Sequence, residues 1–523
     1  MPEYLTPGVY IEEVNTGPRP IEGVGTACAA FVGLAPNGPP NQPVLVTNWL
    51  QYVNIFGSLD ESGKRDPHMK GTYLSHSVYG YFLNGGGRCY VTRVVPSTNG
   101  HNGRDGKVAL PHVQLPSRST KALPSLTFNA KSNTPSQDIE IEVAPAAGDG
   151  QPEGTFTVKV RMGGDEELFE NVGFGRKAAK SVTETINQAS KLVTVVEEPF
   201  QGTLAERVPE ATTYFIRAQA AQTQPLVKVD DFGGDIVERS GMEGLQIAED
   251  VTMVCCPDLM SAYQSGALDK EGVKSVQLKM IAHCELMGDR VAIIDPLPDL
   301  NPQQVGKWRK DETNYDSKYA ALYYPWLKVP GPDGQPMAIP PSGYMAGIWA
   351  RNDTERGVHK APANEVIRGA LDAAAPITKG EQDTLNPIGV NCIRSFSGRG
   401  VRVWGARTLS SDPAWRYINV RRLFNYIEKS IEIGTQWIVF EPNTEDLWAR
   451  VRRDVGAFLT GAWREGMLFG TTSAEAFFVK CDAEINPPES RDLGRLYIDI
   501  GLAPVKPAEF VIFRLSQMAG GGA

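Results

Sequence analysis

The chain has 523 residues and a formal charge of −9, with 53 glycines and 38 prolines, both above their usual shares. Hydrophobic residues make up 41%, and with Gly added the apolar share is that of a folded globular chain, which excludes disorder, collagen and coiled coil as descriptions of the whole. The acidic balance, with charged residues at 22%, lacks the basic footprint of a general nucleic-acid binder, so no nucleic-acid partner is expected.

This length predicts three or four domains. The seven cysteines (Cys28, Cys89, Cys255, Cys256, Cys284, Cys392 and Cys481) are odd in number, widely spaced and mostly set in apolar runs. They read as reduced buried thiols, which points to a cytosolic folding compartment. The opening MPEYLTPGVYIEE has no basic region followed by an apolar one, so no signal peptide is expected. The longest charge-free stretch, Gly23 to Leu59, is broken by Pro, Asn and Gln, and direct membrane insertion is not expected.

Residues 1–20 read as an extended arm, because Pro2, Pro7, Pro18 and Pro20 forbid a continuous helix. TACAAFVGLA reads as a buried strand, VLVTNWLQYVNIFG as a strand entering a helix, and HSVYGYFLNGGGRCYVTRVV as helix, glycine break and strand. From 98 to 235 the pattern changes to short alternating runs such as LTFNA, IEIEV and GTFTVKVRMGG, the mark of a β-rich unit. Because α/β patterning resumes at 236, this unit reads as inserted into a core made of 21–97 and 236–390. A C-terminal α+β unit is placed at 391–505. Its amphipathic helix runs from Tyr417 to Ile433, and a second helix starts at Asn443 or Thr444 and stops at Gly466. The strands AFFVKCD and RLYIDIGLA follow, then an extended arm at 506–523.

No catalytic, cofactor or metal motif emerges. Gly57–Gly63–Lys64 has five residues between its glycines where a phosphate loop has four, and Arg65 replaces the magnesium-binding hydroxyl. The glycine clusters at 85–87 and 398–400 read as turns before strands. The six histidines show no metal-ligand spacing. His283 and Cys284 are helical neighbours about 100° apart, so adjacency makes no nucleophile–base pair; the reading is a buried Cys beside a surface His. Asp295 and Asp299 end a strand where α/β active sites collect, but turn and cap duty is the preferred role.

The two ends carry the stronger signal. In AEFVIFRLSQ, Phe510, Ile512 and Arg514 fall on one strand face and Val511, Phe513 and Leu515 on the other. Apolar residues on both faces read as a strand buried within a sheet, yet this one is tethered beyond Pro504 and Pro507. Such a segment suits β-augmentation of a neighbour, although pairing within its own chain remains the alternative. TPGVYIEEV, with Val9, Tyr10, Ile11 and Glu12, is the second candidate arm, tethered by Gly17, Pro18, Arg19 and Pro20.

Taken together, PEYLTPGVYIEEV, IFGSLDESG, NGGGRCYVTRV, YAALYYPWLKV, PPSGYMAGIWARND, GVHKAPAN, GVNCIRSFSGRGVRVWGARTL, YINVRRLFNYIEKSI, FEPNTEDLW and FLTGAWREGMLFG resemble the contractile tail-sheath family of phages, R-type bacteriocins and extracellular contractile injection systems. The resemblance covers nearly all of 1–95 and 245–515 and is weakest across 98–235, where such sheaths carry outward-facing insertions. It implies a structural subunit without cofactor or catalytic role, assembled in the cytoplasm as a helical stack of rings, sixfold in the family. The implied partners are an inner tube, a baseplate and terminator or cap proteins, in a phage tail-like particle that lysis could release. The sheath forms extended and metastable, then contracts to drive the tube into a target. The expected acceptor strands for neighbours' arms are Phe477, Phe478, Val479 and Lys480 with Leu496, Tyr497, Ile498, Asp499 and Ile500. The expected hinges are Gly17, Pro18, Pro20, Gly501, Pro504 and Pro507. Arg450, Arg452, Arg453 and Arg464 are candidates for contact with the tube, a solvated helix face being the alternative. The competing class is an α/β enzyme with a β-rich accessory domain; a generic layer or shell protein is a third.

Overall fold

The computed structural model describes residues 21–59, 64–96, 112–119, 123–131, 138–148, 152–163, 165–174, 180–200, 202–216 and 227–514. The expected N-terminal arm, with Val9, Tyr10, Ile11, Glu12, Gly17, Pro18 and Pro20, lies outside them, as does Leu515. The chain forms two compact units. Among the described residues one comprises Thr26–Glu355 and Pro362–Ile418; the other gathers 21–25, Arg356–Ala361 and 419–514.

The larger unit is built on an eight-stranded sheet. Its strands are β1 (Cys28–Gly33), β2 (Pro43–Val46), β3 (Arg88–Arg93), β4 (Met253–Cys255), β5 (Val291–Ile294), β6 (Ala320–Tyr324), β7 (Val390–Phe396) and β8 (Gly400–Val403). The spatial order is β2-β3-β1-β4-β5-β6-β7-β8. The six central strands are parallel, and β2 and β8 close the edges antiparallel. A parallel sheet covered on both faces needs continuous apolar strands, and β1, β4, β5 and β6 are buried at every position. This places 391–418 with the larger unit. The boundary expected at 391 falls after Ile418 instead, because Val390, Asn391 and Cys392 pair with Leu322, Tyr323 and Tyr324.

Helices α1 (Leu74–Leu83), α2 (Lys270–Met287) and α3 (Ser342–Arg356) flank this sheet. Glycines bring α3 onto α1. A Cβ at Gly343 would meet the Ser77 backbone, one at Gly347 the Tyr81 carbonyl, and one at Gly80 the Tyr344 ring. Most positions of α3 from Ser342 to Asn352 are buried, so it is a core helix.

The strand order reverses between β1 and β4, where doubly wound proteins hold their ligands. Here Asp258 fills that point. Fully buried, it accepts hydrogen bonds from Leu34 N at 2.6 Å, from Tyr73 N and from Leu74 N at 3.2 Å, and so caps α1. Asp295, after β5, does the same for α3, accepting Ser342 N at 2.8 Å and Ser342 Oγ at 2.6 Å. Burial pushes both carboxyls up to about 7, against the lowering effect of those hydrogen bonds. Asp299 sits exposed in the turn that follows. His283, expected on the surface, is buried. Its ring contacts Arg290, which is itself held by Asp289 and the carbonyls of Leu245 and Ala248. All seven cysteines are free and buried.

The inserted segment has its own core, which includes Phe128, Ile141, Phe156, Val158 and Val193. A four-stranded sheet (Asp165–Val172, Phe156–Met162, Ile139–Pro145, Thr213–Ile216) and a three-stranded one (Val193–Glu197, Pro124–Ala130, His112–Pro116) are antiparallel throughout. Along Ile139–Pro145, Ile139, Ile141 and Val143 are buried while Glu140 and Glu142 face Arg161 across the sheet. One short helix, Val182–Ala189, was not legible in the sequence.

Candidate subunit-linking surface

The smaller unit is organised by two amphipathic helices, α4 (Ile418–Gly434) and α5 (Glu445–Arg464). Thr444 precedes α5, and Glu445 and Asp446 place negative charge at its positive end. Leu447, Trp448, Val451, Val455 and Leu459 form a buried stripe that packs in one core with Leu423 and Ile427 of α4. Trp448 Nε1 donates to Asn443 Oδ1 at 2.7 Å, and Asn443 Nδ2 donates to the Arg495 carbonyl at 3.0 Å.

On this core lies a two-stranded antiparallel ribbon, β9 (Phe477–Lys480) and β10 (Asp499–Leu502). Phe477 pairs with Leu502 and Val479 with Ile500; these four pack on the core and are only partly buried. Phe478 and Lys480, opposite Gly501 and Asp499, face outward. The second of the strands expected as acceptors therefore starts at Asp499, not at Leu496. The cause is Asn486, which is fully buried. Its side chain accepts from Tyr497 N at 2.7 Å and donates to the Tyr497 carbonyl at 3.0 Å, so both backbone groups of Tyr497 are taken before a strand can use them. Leu496 and Ile498 pack on the core flanking this clamp. No sequence pattern marked Asn486.

Two of the expected hinge positions are held. Gly501 is inside β10 opposite Phe478, and Pro504 bridges Leu468. Phe469 N donates to the Ala503 carbonyl at 2.7 Å, and Val505 N to the Met467 carbonyl at 3.3 Å. The chain is thus pinned through Val505. From Lys506 to Arg514, including Pro507, it forms no strand, and Phe510, Val511, Ile512 and Phe513 are 71%, 69%, 79% and 84% exposed. Among the described residues β9 and β10 each have one strand neighbour, so each leaves one edge open. A lone ribbon of two strands is marginal without a further strand or a packed backing.

The four arginines of α5 do not share one face. At 100° per residue Arg450, Arg453 and Arg464 fall together, while Arg452 points elsewhere and donates to the Cys481 carbonyl. Arg450 lies 5.5 Å from the Trp437 ring centre and 3.8 Å from Glu441. Arg453 lies 3.2 Å from Asp454, and Arg464 is exposed with no ion pair among the described residues.

The family models for the phage tail sheath protein central domain and the phage tail sheath C-terminal domain match residues 241–409 and 410–517, together just over half of the chain. A putative prophage major tail sheath protein of Pseudomonas aeruginosa (strain UCBPP-PA14) is 27% identical over 209 residues, 39% of this chain and 52% of that one. The curated relatives that it matches are covered to about half their length or less. Two cryo-EM structures share the fold. One is the anti-feeding prophage helical sheath in its contracted state, at TM-score 0.57 and 24% identity, covering 98% of this chain and 100% of that one. The other is the sheath complex of an extracellular contractile injection system, PVC, also contracted, at TM-score 0.54 and 23% identity, covering 99% of each chain. Among the described residues no helix is long and apolar enough to cross a membrane. With two sheath domains matched end to end and a sheath fold across nearly its whole length, the chain belongs to the contractile tail-sheath family.

Proposed function

We propose that this chain is the sheath subunit of a contractile, phage tail-like particle. It polymerises around an inner tube in an extended, metastable state and contracts to drive the tube into a target. One observation carries the reading: four consecutive large apolar side chains, Phe510 to Phe513, stand in solvent on the segment that leaves β10, part of a ribbon whose two strands each keep one edge open among the described residues. An exposed run of that kind marks a binding segment, and burying each side chain is worth about 1.5–3 kcal/mol. The arm of one subunit adds Phe510, Val511, Ile512, Phe513, Arg514 and Leu515 to the β9–β10 ribbon of another. The N-terminal arm, with Val9 to Glu12, adds to the same sheet from a different neighbour. Two arms given to different neighbours yield an open assembly, not a closed dimer.

The flexible tether then begins at Lys506, with Pro507, just beyond the backbone hydrogen bond from Val505 to Met467. Gly17, Pro18 and Pro20 serve the other arm. The energy of contraction comes from packing between subunits, so the subunit has no catalytic step to perform. Rings of six subunits, an inner tube, a baseplate and a terminator complete the particle, which assembles in the cytoplasm and acts outside the cell after release by lysis.

Electron microscopy of the purified protein, with and without residues 507–523, tests the reading. The full chain is expected to form hollow tubes, and the truncated chain to stay folded and unpolymerised. Uniform small particles from the full chain, or normal tubes from the truncated one, would count against it.

A further inference from the structure

We propose that the solvent face of the β7–β8 hairpin binds a carboxylate-bearing segment of a second copy of this chain. The proposal rests on the sheath reading only in taking a second copy as the partner. In the antiparallel register Arg394 stands opposite Arg402 and Phe396 opposite Gly400. Side chains two apart share a face, and Ile393, Val401 and Val403 take the buried one. Like charges directly opposite each other on paired strands are destabilising. No carboxylate offsets this pair, since neither arginine has an ion pair among the described residues. Their donors go to neutral groups instead. Arg394 Nη1 donates to Gln382 Oε1 at 3.1 Å, Arg402 Nη1 to the Asn364 carbonyl at 2.8 Å and Arg402 Nε to the Arg399 carbonyl at 3.1 Å. Asp372 is engaged by Ser395 Oγ and Ala373 N.

Aromatic rings hold the charges in place. The ring centres of Phe396 and Trp404 are 4.7 Å apart. The Arg394 guanidinium lies 5.3 Å from the Phe396 centre, and that of Arg399 lies 4.7 Å from Phe396 and 5.7 Å from Trp404. Arg399 stands at the hairpin tip between Gly398 and Gly400, both left-handed at φ +72° and +73°, and its N donates to the Phe396 carbonyl at 3.0 Å. It is exposed, and its guanidinium has neither hydrogen bond nor ion pair among the described residues. A guanidinium over a ring keeps its in-plane donors for a carboxylate. Val366 bridges to Arg402 from the segment along the outer edge of β8, and Arg368, two residues on and exposed, adds a fourth arginine without an ion pair.

The charge balance names the occupant. The chain carries 61 acidic residues against 52 basic ones, so a second copy brings carboxylates in excess. Its net charge of −9 disfavours the approach of a phosphate backbone. Glu445 and Asp446, adjacent, exposed and without an ion pair among the described residues, are carboxylates of the complementary kind. A basic face and an acidic complement are different surfaces, so the contact is head-to-tail.

The test uses the full-length protein. Arg399→Glu reverses an exposed charge, so its melting temperature should match the parent's while the concentration at which copies associate rises about tenfold. Arg394→Glu sets a carboxylate opposite Arg402, so its melting temperature should equal or exceed the parent's with a similar loss of association. In a mixture of isotope-labelled and unlabelled copies of Arg399→Lys, a carbodiimide should couple the new amine to an Asp or Glu of the differently labelled copy. Association of Arg399→Glu at the parent concentration overturns the proposal, and so does coupling confined to one copy. A single-stranded oligonucleotide retained by the parent and lost by Arg399→Glu overturns it too, by giving the face to nucleic acid. Coupling between copies without hollow tubes sinks the sheath reading alone, and copies that never associate sink both.

Discussion

The ring of Phe478 lies across Gly501, its register partner on the neighbouring strand. Any side chain at 501 would collide with that ring, so this glycine serves contact between strands, where an aromatic covers the gap left by the missing Cβ. Gly501→Ala should lower the stability of the smaller unit by about 1 kcal/mol, the ring being half exposed and able to swing aside. Thermal denaturation of Gly501→Ala, Phe478→Ala and the double variant checks this. The double variant should cost less than the two singles added; strict additivity would mean that ring and glycine do not interact.

The contact between α1 and α3 is less forgiving. At Gly347 a new Cβ meets the Tyr81 carbonyl and the Asn84 side chain, and the backbone of a buried helix cannot move aside as an exposed ring does. Gly347→Ala should cost about 1–3 kcal/mol by overpacking. Gly288→Ala is no fair control, since Gly288 has φ +69°. Gly380→Ala is, because a Cβ there meets nothing within 4 Å. Equal unfolding midpoints for Gly347→Ala and Gly380→Ala would refute the close approach.

Local chemistry made much of this fold legible. The start of α5 after Thr444, the break after α1 at Gly85 and the full burial of β1 follow from two first-turn carboxylates, a positive-φ glycine and an apolar run. What could not be read depends on distant partners. VNCIRSF is a plain strand in sequence, and only its pairing with Leu322–Tyr324 assigns it to the larger unit. Tyr497 sits in a convincing strand pattern, yet a side chain eleven positions away takes its backbone groups. At Phe510–Phe513 apolar residues fall on both faces of an extended pattern, and among the described residues no strand pairs with them.

Asp295 gives stability a dependence on pH of an unusual sign. Burial raises its carboxyl from 3.8 to about 7, so between those values the folded protein holds a proton that the unfolded chain has lost. Its contribution is therefore largest in acid, declines as pH rises from about 4 to about 7, and is flat above. Asp295→Asn keeps an acceptor for Ser342 N and removes the titration. The parent should lose about 1–4 kcal/mol relative to this variant across that window. Denaturant midpoints at pH 4, 5.5, 7 and 8 would show it, and a constant difference between the two proteins would exclude it.

The opposite dependence belongs to His68 and His76, whose rings stack with centres 4.4 Å apart. His68 Nδ1 lies 2.9 Å from Ser75 Oγ, and Trp49 flanks the pair. Burial lowers His76 to about 4, with a further push from His68; burial also lowers His68, and Asp66 opposes both shifts. Two cations at this spacing would repel each other, so the folded state favours neutral rings. A folded value below 6.5 means that stability is complete above that pH and is lost as pH falls toward 4. At pH 5 His76 should account for about 1–2 kcal/mol of the loss, allowing for its partial exposure. His283, also lowered to about 4 by burial and by Arg290, adds a separate share that a change at 76 leaves in place. His76→Gln should therefore flatten the melting temperature between pH 6.5 and 4.5 without abolishing its slope. A slope identical to the parent's would show that the stacked pair does not titrate with unfolding.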